Sequence, residues 1–192
     1  GEEIREVTFN KFVETVNSLG AFLNKEELSD KHIACIGANS YNWIIAYMTA
    51  LRSKGVFIPI DKELPEGDII NVLKDSETNV VFYDAKYEEI FKNHADELEG
   101  IKYFIGFDRL DNEGRFRSFH WALATGQTLD PSDFIAEESN PDELKLLVYT
   151  SGTTGESKGV MLPHSCLLEA MRIHDQRLVH IKRSDTSMAF LP

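Results

Sequence analysis

Short apolar runs alternate with amphipathic helical segments along most of the chain, and this alternation restricts the fold more than any other feature. The runs at residues 33–36, 56–60 and 80–83 contain no charged side chain, which is typical of strands buried on both faces. Between them lie segments with apolar residues at helical spacing, such as residues 41–51. The alternation predicts an α/β fold with a mostly parallel sheet covered by helices on both faces.

A glycine-rich stretch interrupts this pattern near the end of the chain. Residues 149–159 are Tyr-Thr-Ser-Gly-Thr-Thr-Gly-Glu-Ser-Lys-Gly and lie between two apolar runs. Glycines let backbone N–H groups approach an anion because no Cβ blocks them, hydroxyls donate to phosphate oxygens, and lysine adds a positive charge. The stretch predicts a polyphosphate-binding loop made by Thr150, Ser151, Gly152, Thr153, Thr154, Gly155, Lys158 and Gly159.

Two other interpretations of the stretch are weaker. A Walker A loop needs Gly, four residues and then Gly-Lys-Ser/Thr, whereas only two residues separate Gly152 from Gly155 and Lys158 precedes a glycine. A flexible Ser/Thr/Gly linker is the alternative, but such linkers rarely lie between two strand-like runs.

The stretch resembles the phosphate-binding signature of the adenylate-forming superfamily, which includes acyl-CoA synthetases, luciferases and peptide-synthetase adenylation domains. That signature is roughly Thr/Ser-Ser-Gly-Thr-Thr-Gly-x-Pro-Lys-Gly-Val, and Ser157 stands where proline is usual. The turn at Asn39 and Ser40 before Trp43, and Met161-Leu162-x-His164, most resemble long- or medium-chain fatty acyl-CoA synthetases. We take the long-chain enzymes as the nearest subfamily. The resemblance runs from about residue 7 to residue 192.

The resemblance implies an acid–thiol ligase that uses ATP, Mg²⁺ and coenzyme A to convert a fatty acid or another carboxylic acid into its acyl-adenylate and then its acyl-CoA. The family's adenine-contacting segment, ribose-binding aspartate, magnesium-binding glutamate and catalytic lysine all match positions beyond Pro192. We therefore expect residues 1–192 to be part of the large N-terminal domain, with no catalytic or metal-binding residue and no activity alone.

Two alternatives remain open at this point. The parent protein could be an adenylating domain that loads a carrier protein, or a non-catalytic nucleotide-binding module. The acyl chain length, the acyl acceptor, the oligomeric state and the limits of the parent chain do not follow from these residues.

The periodicity weakens from residue 108 to residue 142, where only a short helix near residues 119–124 is predicted. Pro131 and the pairs Glu137-Glu138 and Asn140-Pro141 are typical of a connecting segment. The sequence thus predicts an N-terminal α/β lobe at residues 1–130, a linker at 131–143 and the start of a second lobe at 144–192.

Composition excludes several classes of protein. The net charge of −12 argues against a broad nucleic-acid surface, which needs clustered Lys and Arg. No window approaches 18 consecutive apolar residues, so no membrane span is predicted. Cys35 and Cys166 are too few for a disulfide scaffold, and the histidines lack zinc-ligand spacing. These features favour the cytoplasm.

Overall fold

The structure, a computed structural model, describes residues 6–138, 140–150 and 158–177. Its helices are α1 (Phe9–Lys25), α2 (Tyr41–Arg52), α3 (Glu66–Asp75), α4 (Glu88–Asn93), α5 (Phe119–Gln127), α6 (Ser132–Ala136) and α7 (His164–Arg177). Its strands are β1 (His32–Ile36), β2 (Val56–Ile60), β3 (Val80–Tyr83), β4 (Tyr103–Gly106), β5 (Phe116–Ser118), β6 (Leu144–Thr150) and β7 (Lys158–Pro163).

The strands form one sheet in the order β5-β4-β3-β1-β2-β6-β7. Strands β1 to β6 are parallel, and β7 is antiparallel to β6. The chain leaves β1 for β2 on one side and later reaches β3 on the other side, so the direction of winding reverses between β1 and β3. The predicted α/β class with a mostly parallel sheet is confirmed.

Each face of the sheet carries its own buried core, as a sheet with helices on both faces requires. One core joins α1, α2, α5 and α6 to side chains that include Phe22, Phe57 and Phe82. The other joins α3 and α4 to side chains that include Ile58 and Phe104. Strand residues contribute to the two cores alternately, because successive side chains of a strand point to opposite faces.

A glutamate in the left-handed region lies two residues after the end of α1 and two residues after the end of α3. Glu27 follows α1 with φ of 59°, and Glu77 follows α3 with φ of 49°. After α1 the N–H of Leu28 donates to the carbonyl of Leu23 at 2.8 Å, which closes the last turn. Glycine is favoured at this position because a Cβ disfavours the conformation.

The segment at residues 131–143, predicted as a linker, includes a short helix and a buried aromatic side chain. It contains α6, and the ring of Phe134 is fully buried. A Cβ built on Gly20 of α1 would lie 2.3 Å from that ring, so the glycine makes room for it. The sequence did not indicate that Phe134 is buried, because a single aromatic residue that packs into a core forms no periodic pattern.

The sheet also continues across the predicted boundary. Strand β6, placed by the sequence at the start of a second lobe, pairs with β2 through Phe57 and Leu146. Over the described residues, β6 and β7 are therefore part of the same sheet as β1 to β5. Whether residues 144–192 begin a further lobe stays a prediction.

Candidate phosphate-binding site

The chain leaves six strands at one edge of the sheet. Because β1 to β6 are parallel, their carboxyl ends lie at the same edge, where ligands of open α/β sheets bind. The connection from β6 to β7 leaves this edge directly after Thr150. The predicted phosphate-binding loop therefore starts where the fold favours a ligand.

A two-stranded hairpin brings the two ends of the loop together. Thr150 pairs with Lys158, and Tyr149 pairs with Gly159, in the antiparallel ladder of β6 and β7. The side chains of Thr150 and Lys158 are exposed. The other predicted site residues lie outside the described residues: Ser151, Gly152, Thr153, Thr154 and Gly155.

Tyr149 connects the carboxyl end of β6 to helix α3. Its hydroxyl donates a hydrogen bond to a carboxylate oxygen of Asp75, the last residue of α3, at 2.6 Å. Burial, followed by the neighbouring Asp75, raises the pKa of Tyr149 well above its ordinary value, so the hydroxyl keeps its proton at neutral pH. A Cβ on Gly159 would lie 2.9 Å from Leu147 Cδ1 and 3.3 Å from Tyr149 Cζ. The glycine thus leaves space for the ring.

Lys145 holds the other end of the same strand. Its side chain is buried, and its ammonium donates to the carbonyl of Ser53 and, at 3.2 Å, to that of Gly55. Burial lowers the pKa of Lys145. Burial, and then the charge of Lys145, lowers the pKa of His164 at the start of α7. Strand β6 is therefore attached by polar contacts near both of its ends.

A cleft at the reversal point between β1 and β3 shares this edge of the sheet. Its cavity measures about 560 Å³ and is lined by the segments that follow β1, β3 and β4, including Ser40, Asp84 and Asp108. The carboxylate of Asp84 accepts the N–H of Ala38 at 2.6 Å. The N–H of Ala38 is thus already paired with an acid, and a second carboxylate, that of Asp108, lines the same cavity.

Sequence reasoning missed Tyr149, Asp75 and Lys145 as contributors to the site. Tyr149 appeared only as the first residue of the glycine-rich stretch, with no role assigned to it, and Asp75 lies 74 residues before it in the chain. No local pattern links the two.

Within the described residues there is no group of three or more His, Cys, Asp or Glu side chains that could hold a metal ion. None of the described helices is long and apolar enough to cross a membrane.

Comparison with known proteins identifies the family. A sequence profile described as "AMP-binding enzyme" matches residues 2–192. The chain belongs to the AMP-binding enzyme family. The predicted superfamily is therefore confirmed.

Relatives of this AMP-binding chain fall into more than one functional class. It is 28% identical over 163 residues to tyrocidine synthase 2 of Brevibacillus parabrevis, which covers 84% of the chain and 4% of that protein. It is 23% identical over 202 residues to the long-chain-fatty-acid–CoA ligase ACSBG2 of Rattus norvegicus, which covers the whole chain and 30% of that protein. The chain thus spans less than a third of either relative, and the long-chain subfamily is not singled out.

The fold is also that of solved structures. The red-emitting luciferase of Phrixothrix hirtus superimposes with a TM-score of 0.79 at 20% identity, over 94% of this chain and 44% of the luciferase. At that identity the likeness concerns the fold alone. It agrees with the seven-stranded sheet described above.

Proposed function

We propose that the chain supplies the phosphate-binding loop of an enzyme that activates a carboxylic acid with ATP. The observation that carries the proposal is the pairing of Thr150 with Lys158 at the carboxyl edge of the parallel sheet. That pairing closes a loop with the composition of an anion site at the edge where α/β proteins bind ligands. Membership of the AMP-binding enzyme family supports the nucleotide as the ligand.

In the proposed reaction, a carboxylate oxygen attacks the α-phosphorus of ATP, the bond to the β-phosphate breaks, and pyrophosphate leaves with the electron pair. Negative charge therefore grows on the pyrophosphate. In this proposal the ammonium of Lys158, with hydroxyls and N–H groups of the loop, stabilises that charge. Magnesium would offset further phosphate charge when bound, and we assign none of the described residues to it.

The second half-reaction transfers the acyl group to a thiol, and two acceptors are supported to a similar degree. A fatty acid–CoA ligase, which transfers to coenzyme A and releases AMP, is supported by the match to ACSBG2. A domain that loads a carrier protein is supported by the match to tyrocidine synthase 2. A nucleotide-binding module without chemistry is the third candidate.

The proposal also places the protein in the cytoplasm. Both cysteines, Cys35 and Cys166, are free, as is usual for proteins in a reducing compartment. ATP and coenzyme A as partners agree with this location.

The test uses the full-length protein that carries residues 1–192. Pyrophosphate release would be measured with ATP, Mg²⁺ and a panel of fatty, aryl and amino acids, and then thioester formation with coenzyme A or with a phosphopantetheinyl carrier protein. Acid-dependent release is the expected result, and the acceptor that yields a thioester separates the ligase from the carrier-loading enzyme. Nucleotide binding with no acid-dependent release would favour the non-catalytic module and contradict the proposal.

A further inference from the structure

The hairpin that carries the loop has little backbone pairing with the rest of the sheet. Over the described residues, β6 meets β2 through one registered pair, Phe57 and Leu146, and β7 is the last strand of the sheet. Leu146 lies four residues before Thr150. Backbone pairing with β2 therefore fixes the amino-terminal half of β6 rather than the end that leads into the loop.

Side chains attach the two ends of β6 instead, and only one of them is near the loop. Lys145 bonds to the carbonyls of Ser53 and Gly55 at the amino end. At the carboxyl end, the Tyr149 hydroxyl bonds to the carboxylate of Asp75. A hydrogen bond to a charged acceptor is stronger than one between neutral groups.

We propose that Tyr149 and Asp75 form a positioning pair that sets the place of the phosphate-binding loop, an inference that rests on the proposed function. Tyr149 immediately precedes Thr150 and faces Gly159, the neighbour of Lys158, across the ladder. Displacement of Tyr149 therefore moves both ends of the loop together. Misplacement of a catalytic group by about 1 Å can cost on the order of 100-fold in rate.

Gly159 belongs to the same arrangement. Its missing side chain leaves the space in which the Tyr149 ring lies, because a Cβ there would be 3.3 Å from Cζ of that ring and 2.9 Å from Leu147 Cδ1. Gly159→Ala therefore crowds Leu147 most and the Tyr149 ring less, and its kcat should fall only as far as the ring is displaced from Asp75. This second route to the same displacement does not touch the hydroxyl.

The experiment compares variants in acid-dependent ATP–pyrophosphate exchange by the full-length protein. Tyr149→Phe and Asp75→Ala should each lower kcat by about tenfold and raise KM for ATP, while KM for the carboxylic acid stays unchanged. Asp75→Asn keeps an acceptor oxygen and should remain within about twofold of the wild type. The double variant Tyr149→Phe/Asp75→Ala should be no slower than either single variant, because both remove one interaction.

Tyr103→Phe is the matched control. The Tyr103 hydroxyl also donates to a carboxylate, that of Glu26, at 2.9 Å, but Tyr103 lies on β4, four positions from β6 in the sheet. Loss of this bond should leave both kcat and KM for ATP unchanged. Thermal unfolding of each variant gives its folded fraction at the assay temperature, by which the rates are corrected.

The inference fails if, after that correction, Tyr149→Phe and Asp75→Ala behave like Tyr103→Phe, whatever the rate of Gly159→Ala, because Gly159 is itself a predicted phosphate-binding residue. It also fails if Asp75→Asn is as slow as Asp75→Ala, because the acceptor would then not matter. Lys158→Ala separates this failure from failure of the proposed function. A slow Lys158→Ala beside a normal Tyr149→Phe contradicts the positioning pair alone, whereas a normal Lys158→Ala contradicts the proposed function.

Discussion

Removal of the Phe134 ring should destabilise the whole domain, although the residue lies in a segment with the composition of a linker. The ring is fully buried and fills the space left by the absent side chain of Gly20. The guanidinium of Arg52 also lies 5.8 Å from its centroid. Loss of a buried phenyl ring typically costs about 3–5 kcal/mol in the free energy of unfolding, from lost burial and the cavity left behind. We expect Phe134→Ala to fall in that range.

The neighbouring residue is the matched control. Ile135 is 45% exposed to solvent, so Ile135→Ala should lower the free energy of unfolding by no more than about 1 kcal/mol. Equilibrium unfolding in urea, followed by circular dichroism, gives both values by linear extrapolation. If the segment only connected two lobes, Phe134→Ala and Ile135→Ala would both lower the free energy of unfolding by small and similar amounts.

A double-mutant cycle with Gly20 tests the contact itself. In the wild-type background, Gly20→Ala should cost about 1–3 kcal/mol, because its methyl group would lie 2.3 Å from the Phe134 ring. In the Phe134→Ala background, the methyl group enters vacated space and the cost should largely disappear. A coupling free energy of at least about 1 kcal/mol is expected. Costs that add within about 0.5 kcal/mol, or a Phe134→Ala variant as stable as Ile135→Ala, would refute the reasoning.

Two further predictions concern stability. Glu27→Gly and Glu77→Gly should each raise the free energy of unfolding by about 0.5–1 kcal/mol in urea titrations, since both residues have positive φ; an unchanged or lower value would contradict this. Burial lowers the pKa of Lys145 in the folded state, so the folded chain binds this proton less tightly than the unfolded chain. The stability of the wild type relative to Lys145→Met should therefore rise as the pH approaches the ordinary lysine pKa of about 10.4, and a pH-independent difference between pH 7 and pH 10 would count against it.

The elements that the sequence predicted well are those with an uninterrupted local signal. Strands β1 to β3 are continuous apolar runs, and Ser40 caps α2 by accepting the N–H of Trp43 at 3.2 Å. Strand β5 was not predicted, because Phe116, Arg117 and Ser118 form no apolar run, and their place in the sheet comes from pairing with β4. Its existence depends on a partner strand, which periodicity does not reveal.

For the candidate site, too, local features could be read from the sequence and long-range contacts could not. The composition of residues 150–159 indicated an anion-binding loop without any knowledge of the fold, because glycines, hydroxyls and a lysine act locally. The attachment of that loop did not follow from the sequence. The bond from Tyr149 to Asp75 and the bonds from Lys145 to the carbonyls of Ser53 and Gly55 each join residues that are distant in the chain. Only the packing of β6 against β2, α2 and α3 brings them together.

The most direct test of the proposed phosphate site is acid-dependent ATP–pyrophosphate exchange by the full-length protein with Lys158→Ala. Lys62→Ala is the control, because Lys62 is an exposed lysine that follows β2 at the same edge of the sheet. Loss of one charged donor to the leaving group should lower the exchange rate of Lys158→Ala by about 10²–10³-fold, with KM for the acid unchanged and Lys62→Ala near the wild type. Unchanged exchange in Lys158→Ala, or equal losses in both variants, would contradict the proposal that this loop stabilises the departing pyrophosphate.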